Sequence, residues 1–249
     1  MKFHYGLAIA ATLATQSVHA TPIDPTFDVF GDLPGATFGG TGIPTDPTAI
    51  RNIEIPAADA AITLGVTAHQ RFANPPLSND GAGTFQALAG ANDGTPGNPG
   101  TAATWNFAFY AAIDGGDFED YLIELLYDLD PGVDTPEADL GRIDISNSVL
   151  ASNTPGSTIA EGSQNASFAF LASDFPGLVT APTFTAFDPL VGGEYSFALV
   201  ASQSVPGAVP VELGRAAINV EVESVPEPAT LGLIGVGFAG AFAARRRNA

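Results

Sequence analysis

Residues 105–110 read WNFAFY, and their alternation decides the fold. Trp105, Phe107 and Phe109 fall on one face of an extended chain, Asn106 and Ala108 on the other. A period of two with one apolar face marks a half-buried strand of an antiparallel sheet. The pattern recurs at Tyr195, Phe197 and Leu199, and at Ile218, Val220 and Val222 against Asn219, Glu221 and Glu223. Outward from these, 28 glycines and 20 prolines punctuate short β-branched and aromatic stretches, as turns punctuate strands. The stretches read as strands are 50–55, 61–72, 84–88, 104–113, 121–130, 142–145, 167–172, 183–187, 195–202 and 216–223.

The stretch 118–129 fits two periods. As a helix, Phe118, Tyr121, Leu122, Leu125 and Leu129 form a stripe, with acids in the first turn. As a strand, Tyr121, Ile123, Leu125, Tyr127 and Leu129 alternate with their neighbours. Its place between Gly115-Gly116 and Pro131-Gly132 favours the strand. Many short strands with no repeated helix predict an all-β domain over 21–222, an antiparallel β-sandwich of jelly-roll type, with a barrel as the alternative. Residues 92–100 (NDGTPGNPG) read as a flexible surface loop.

The two ends are of another kind. Residues 1–20 carry Lys2, an apolar run over 6–15 and small residues at Val18 and Ala20, the layout of a secretory signal peptide. At the other end, 223–228 form an extended linker ending in Pro226-Glu227-Pro228. Residues 229–244 are uncharged, and 245–249 begin with Arg245-Arg246-Arg247. As a helix the apolar part is about 24 Å long, a short transmembrane span, with the arginines on the cytoplasmic side. This C-terminal single transmembrane helix would hold the domain outside the membrane.

The order Pro226-Glu227-Pro228, apolar helix, basic cluster resembles the PEP-CTERM sorting signal. The resemblance implies recognition and cleavage by an exosortase, a membrane-embedded cysteine protease, and a Gram-negative host that makes an exopolysaccharide or biofilm matrix. It covers the tail alone and implies nothing about the chemistry of 21–225. The stretch from WNFAFY to LIELLYDLDPGVDT is also similar to other PEP-CTERM proteins of unknown role.

Composition narrows the chemistry. All 27 acids lie between Asp24 and Glu227, against Arg51, Arg71, Arg142 and Arg215, so the exported part carries about −23. Such a field repels nucleic acid and anionic lipid. Cysteine is absent, which excludes disulfides, thiol catalysis and cysteine-ligated metals. His69 is the one histidine outside the signal peptide, so no multi-histidine site can form in one chain.

The candidate metal site is the turn Asp128-Leu129-Asp130-Pro131-Gly132-Val133-Asp134, with Asp128, Asp130 and Asp134 as oxygen ligands for calcium. Gly132 and Val133 depart from the EF-hand pattern, and Pro131-Gly132 equally suits a plain turn with solvated acids. A second acidic group spans Asp114 to Asp120. A serine hydrolase would need His69 as its base. No G-x-S-x-G elbow is present, and His69 reads as a polar residue on a solvated face. Trp105, Tyr110, Tyr121, Tyr127 and Tyr195 are the available sugar platforms, but their alternation favours the core. The expectation is a non-enzymatic, exported surface or matrix protein, structural, adhesive or polysaccharide-binding. The alternatives are an extracellular carbohydrate-active hydrolase and a calcium-dependent carbohydrate-binding module.

Overall fold

The computed structural model describes residues 21–92, 94, 100–152, 156–203 and 209–225. The expected signal peptide at 1–20, the transmembrane helix expected at 229–244, the motif at 226–228, the basic cluster at 245–247 and most of the loop 92–100 lie outside the described residues. Among the described residues no helix is long and apolar enough to cross a membrane.

Twelve strands are described: β1 Val29–Gly31, β2 Thr48–Ile55, β3 Ala60–Gln70, β4 Ser78–Asn79, β5 Thr84–Leu88, β6 Trp105–Asp114, β7 Tyr121–Tyr127, β8 Gly141–Asp144, β9 Ile159–Gln164, β10 Val179–Thr180, β11 Gly193–Gln203 and β12 Val211–Glu223. One helix, α1 Ile145–Ala151, follows β8. The strands form two sheets, ordered β1-β2-β3-β6-β9 and β10-β8-β7-β11-β12-β5-β4. Their inner faces share one core, in which Phe107 of the first sheet stacks on Phe197 of the second with centroids 4.2 Å apart. Two sheets with separate edges make a sandwich, not a barrel.

The alternating positions point where their period requires. Trp105, Phe107, Phe109, Tyr195, Phe197, Leu199, Ile218, Val220 and Val222 all enter the shared core. The stretch 118–129 resolves as strand β7. Three details differ from the sequence reading. Pairing is not antiparallel throughout, because β5 runs parallel to β12. The jelly-roll order is not kept, because β1, β2 and β3 pair in chain order as a meander and β11 pairs antiparallel with β12, each within a single sheet. And β6 is buried on both faces, since residues 33–43 lie across its outer side, packing Leu33 and Phe38 on Ala108 and Tyr110.

That covering segment is fastened by one acid. Glu161 on β9 accepts hydrogen bonds from the backbone N–H groups of Thr37 and Phe38, both 2.7 Å, and from the Thr37 hydroxyl at 2.6 Å. Gly65 on β3 permits the close approach: a Cβ there would meet the Leu33 side chain at 2.5 Å. The covering segment therefore ends beside the outer-face residues of β3, β6 and β9, where the polar cluster described next is found.

Candidate functional site

The acidic turn after β7 does not gather its carboxylates. Asp128 turns inward and is 2% exposed. It accepts hydrogen bonds from the backbone N–H groups of Asp130, at 2.9 Å, and Ser196, and from the Thr135 hydroxyl. Asp130 accepts the N–H of Gly132 at 2.9 Å. Asp134 lies exposed on the far side of the turn at φ 56°. Among the described residues no three histidine or acidic side chains are gathered as a metal-holding group, and Asp128, Asp130 and Asp134 are not brought together. The physical reason is local: the first two acids serve backbone donors of their own turn. The group from Asp114 to Asp120 behaves alike, with Asp117 accepting from Glu119 N–H and Asp120 from Asp117 N–H.

Burial pushes the Asp128 carboxyl up to about 6, against the hydrogen bonds it accepts. Below pH 4 it is protonated in both folded and unfolded chains. Between 4 and 6 only the folded chain keeps the proton, and above 6 the charge is buried at full cost. Its contribution to stability therefore falls as pH rises through this window, by about 3 kcal/mol. Asp128→Asn should remove that slope: denaturant unfolding at pH 4.5 and 7.5 should show the variant gaining about 2 kcal/mol on the parent at the higher pH. An unchanged difference would mean that Asp128 stays ionised in the fold.

The structure builds a different site on the outer face of the first sheet. His69 is the penultimate residue of β3, Asn106 is its register partner on β6, and Ser163 lies on β9. His69 is 7% exposed, so the solvated-face reading is corrected. Covering of the outer face by the residues before β2 is what buries it.

The hydrogen bonds of this cluster have one direction. Asn165, fully buried, donates to Asn106 Oδ1 at 2.7 Å. Asn106 Nδ2 donates to Ser163 Oγ at 2.9 Å. His69 Nδ1 lies 2.8 Å from the Gln70 carbonyl, which only accepts, so Nδ1 carries the proton. Nε2 then presents its lone pair, and Ser163 Oγ donates to it at 2.9 Å. Burial lowers the His69 pKa and the Arg71 charge lowers it further, although the Gln70 hydrogen bond opposes them. The imidazole is neutral. Stability from this group is present above its ordinary value of 6.5 and is lost as pH falls below it.

A serine hydroxyl donating to a neutral imidazole is the resting arrangement of a serine nucleophile and its base. Here the group behind the imidazole is a backbone carbonyl. Among the described residues no carboxylate supports the imidazolium that acyl transfer would create, and the neighbouring Arg71 guanidinium opposes it. Beside the pair is an opening of about 340 Å³ between residues 40–44 and the ends of β3, β6 and β9, lined also by Arg71 and Phe72.

The C-terminus identifies the chain's route. Residues 224–247 match the PEP-CTERM protein-sorting motif. The match covers the expected motif Pro226, Glu227 and Pro228 and the basic cluster Arg245, Arg246 and Arg247. A PEP-CTERM tail implies export, transient anchoring in the membrane and processing by an exosortase before release at the surface. No curated protein and no solved structure matched the chain.

The sequence reading missed Ser163, Asn106, Asn165, Arg71 and Phe72. They lie up to 94 positions from one another, and only the register of β3, β6 and β9 joins them. The sugar platforms it named are all core: Trp105, Tyr110, Tyr121, Tyr127 and Tyr195 are each 8% exposed or less.

Proposed function

We propose that the exported domain is a non-enzymatic structural or adhesive component of the cell surface or extracellular matrix, and that it binds exopolysaccharide. The observation that carries the reading is the junction between domain and tail. Strand β12 ends at Glu223 and the PEP-CTERM match begins at residue 224, so the sandwich itself is the cargo, displayed against the membrane until processing. A domain delivered in this way works among surface polymers. Its charge of about −23 keeps it soluble and unattracted to nucleic acid.

A second reading has its own observation. The 2.9 Å contact between Ser163 Oγ and His69 Nε2 is what an extracellular hydrolase would need. The neutral, carboxylate-free setting of His69 favours the binding reading. The mature chain, purified from producing cells, should pellet with their exopolysaccharide and leave its chain length and reducing ends unchanged, with or without a chelator. New reducing ends that vanish in Ser163→Ala would replace the binding reading with the hydrolase.

A further inference from the structure

Four arginines fall among the described residues, in a chain with 27 acids. Three hold carboxylates. Arg51 meets Asp28 at 2.5 Å, Arg142 lies 3.8 Å from Glu124 and Glu137, and Arg215 meets Glu137 and Glu212 at 2.7 and 2.5 Å. Arg71 has no carboxylate partner among the described residues. With acids this abundant, a fixed and unpaired guanidinium is the feature that needs a reason.

Arg71 is held in place by other means. Its backbone N–H donates to the Thr104 carbonyl at 2.8 Å, and its own carbonyl accepts from Asn74 N–H at 3.2 Å. The guanidinium lies 4.7 Å from the ring centre of Phe72 and 5.5 Å from that of Phe168, within cation–π range of both. Nη1 makes one long hydrogen bond, 3.4 Å to Asn106 Oδ1. Nε is buried and has no partner.

Phe72 adds a second sign. It is 59% exposed and sits at φ 52°, a left-handed backbone that a bulky side chain rarely adopts. Strain of this kind collects at ligand sites. Together Arg71 and Phe72 border the 340 Å³ opening, which is within the size range of small-ligand sites.

We propose that this opening binds one carboxylated sugar unit, of the uronic acid class. The planar guanidinium fork matches a carboxylate, which it grips through two parallel hydrogen bonds. The exposed Phe72 ring supplies a flat apolar surface for the sugar ring, and Gln70 and Thr41 line the opening within the polar rim. A singly charged carboxylate also fits the domain's field better than a phosphate monoester, which carries nearly two charges, because the repulsion from about −23 grows with ligand charge. The proposal rests on the polysaccharide-binding reading for its biological setting, and on Arg71 and Phe72 alone for its chemistry.

The test is a calorimetric titration of the mature chain, purified from producing cells, with glucuronate, a short oligoglucuronate, glucose and acetate. Glucuronate should bind at least tenfold more tightly than glucose or acetate. Arg71→Gln should lose at least tenfold for glucuronate, and Phe72→Ala several fold. Arg51→Gln, which changes the net charge equally, should stay within twofold. Arg71→Lys keeps the charge without the fork and should lose most of the affinity, so it decides the matter should Arg71→Gln unfold. Equal binding of glucose and glucuronate would overturn the proposal, as would full affinity in a folded Arg71→Lys. Acetate binding as well as glucuronate would overturn the sugar assignment. Oligoglucuronate tighter than the monomer points to a polymer as the source of the unit, and equal affinities point to the free acid. Capture of host polymer with no glucuronate binding would overturn this site while leaving the binding reading intact. Glucuronate binding at Arg71 without polymer capture would do the reverse.

Discussion

Phe107→Ala should lower the unfolding free energy by about 3–5 kcal/mol, the cost of removing a buried aromatic side chain and leaving its cavity. Phe107 is fully buried, stacks on Phe197 at 4.2 Å and lies 6.5 Å from Tyr127, so it joins the two sheets where the core is most aromatic. For about 200 residues, each kcal/mol moves the melting point by roughly 2–4 °C, so the expected drop is roughly 6–20 °C. Phe107→Leu keeps most of the volume and should cost about 1 kcal/mol. Thermal unfolding of the three chains checks this. Equal losses for Ala and Leu would mean that Phe107 does not bridge the sheets.

Asn165→Asp should be as damaging without changing a single volume. The Asn165 amide nitrogen faces three acceptors: the carbonyls of Ala103 at 3.0 Å and Trp105 at 2.7 Å, and Asn106 Oδ1 at 2.7 Å. Its oxygen accepts the N–H groups of Ala103 and Ser167, both at 3.1 Å. A carboxylate would place oxygen against those acceptors and bury an uncompensated charge. The expected loss is about 3–5 kcal/mol at neutral pH, shrinking steadily as pH falls towards 4 and the buried carboxyl takes up a proton. Denaturant unfolding at pH 7 and pH 4.5 reads both parts. A loss independent of pH would show that charge is not its cause.

The alternation that decides the fold is legible because strands β6, β11 and β12 set large apolar residues at every second position, and a slip of one would expose all of them. Strand β9 was not legible. Its sequence IAEGSQ has one apolar position in the core and a mid-strand glycine, and it becomes a strand only because β6 offers an unpaired edge. Residues 167–172 look like a strand, but Asn165 takes the Ser167 N–H and the chain turns into a short 3-10 segment, Ala169–Ala172. Residues 183–187 alternate well yet are not a strand. Thr183 is tied through its N–H and hydroxyl to Asp139, and Phe184 and Phe187 pack on the core without pairing. Helix α1 carried a readable signal in Asp144, whose side chain caps it by accepting from Asn147 N–H at 2.8 Å.

The site was less legible than the fold, for a reason of geometry. Asp128, Asp130 and Asp134 are neighbours in sequence and are separated by burial, whereas His69, Asn106 and Ser163 are distant in sequence and joined by register. Spacing along the chain detects loops that carry their own ligands. It does not detect a cluster made across three strands. The tail was legible at once, because its three parts act in sequence order.

The central claim is that the sandwich is cargo for a sorting tail, and the mass of the mature C-terminus tests it most directly. Protein recovered from the surface of producing cells should end close to Pro226-Glu227-Pro228, with no peptide containing Arg245, Arg246 or Arg247. Recovery of intact chains that retain the three arginines would contradict it and leave a permanently anchored membrane protein.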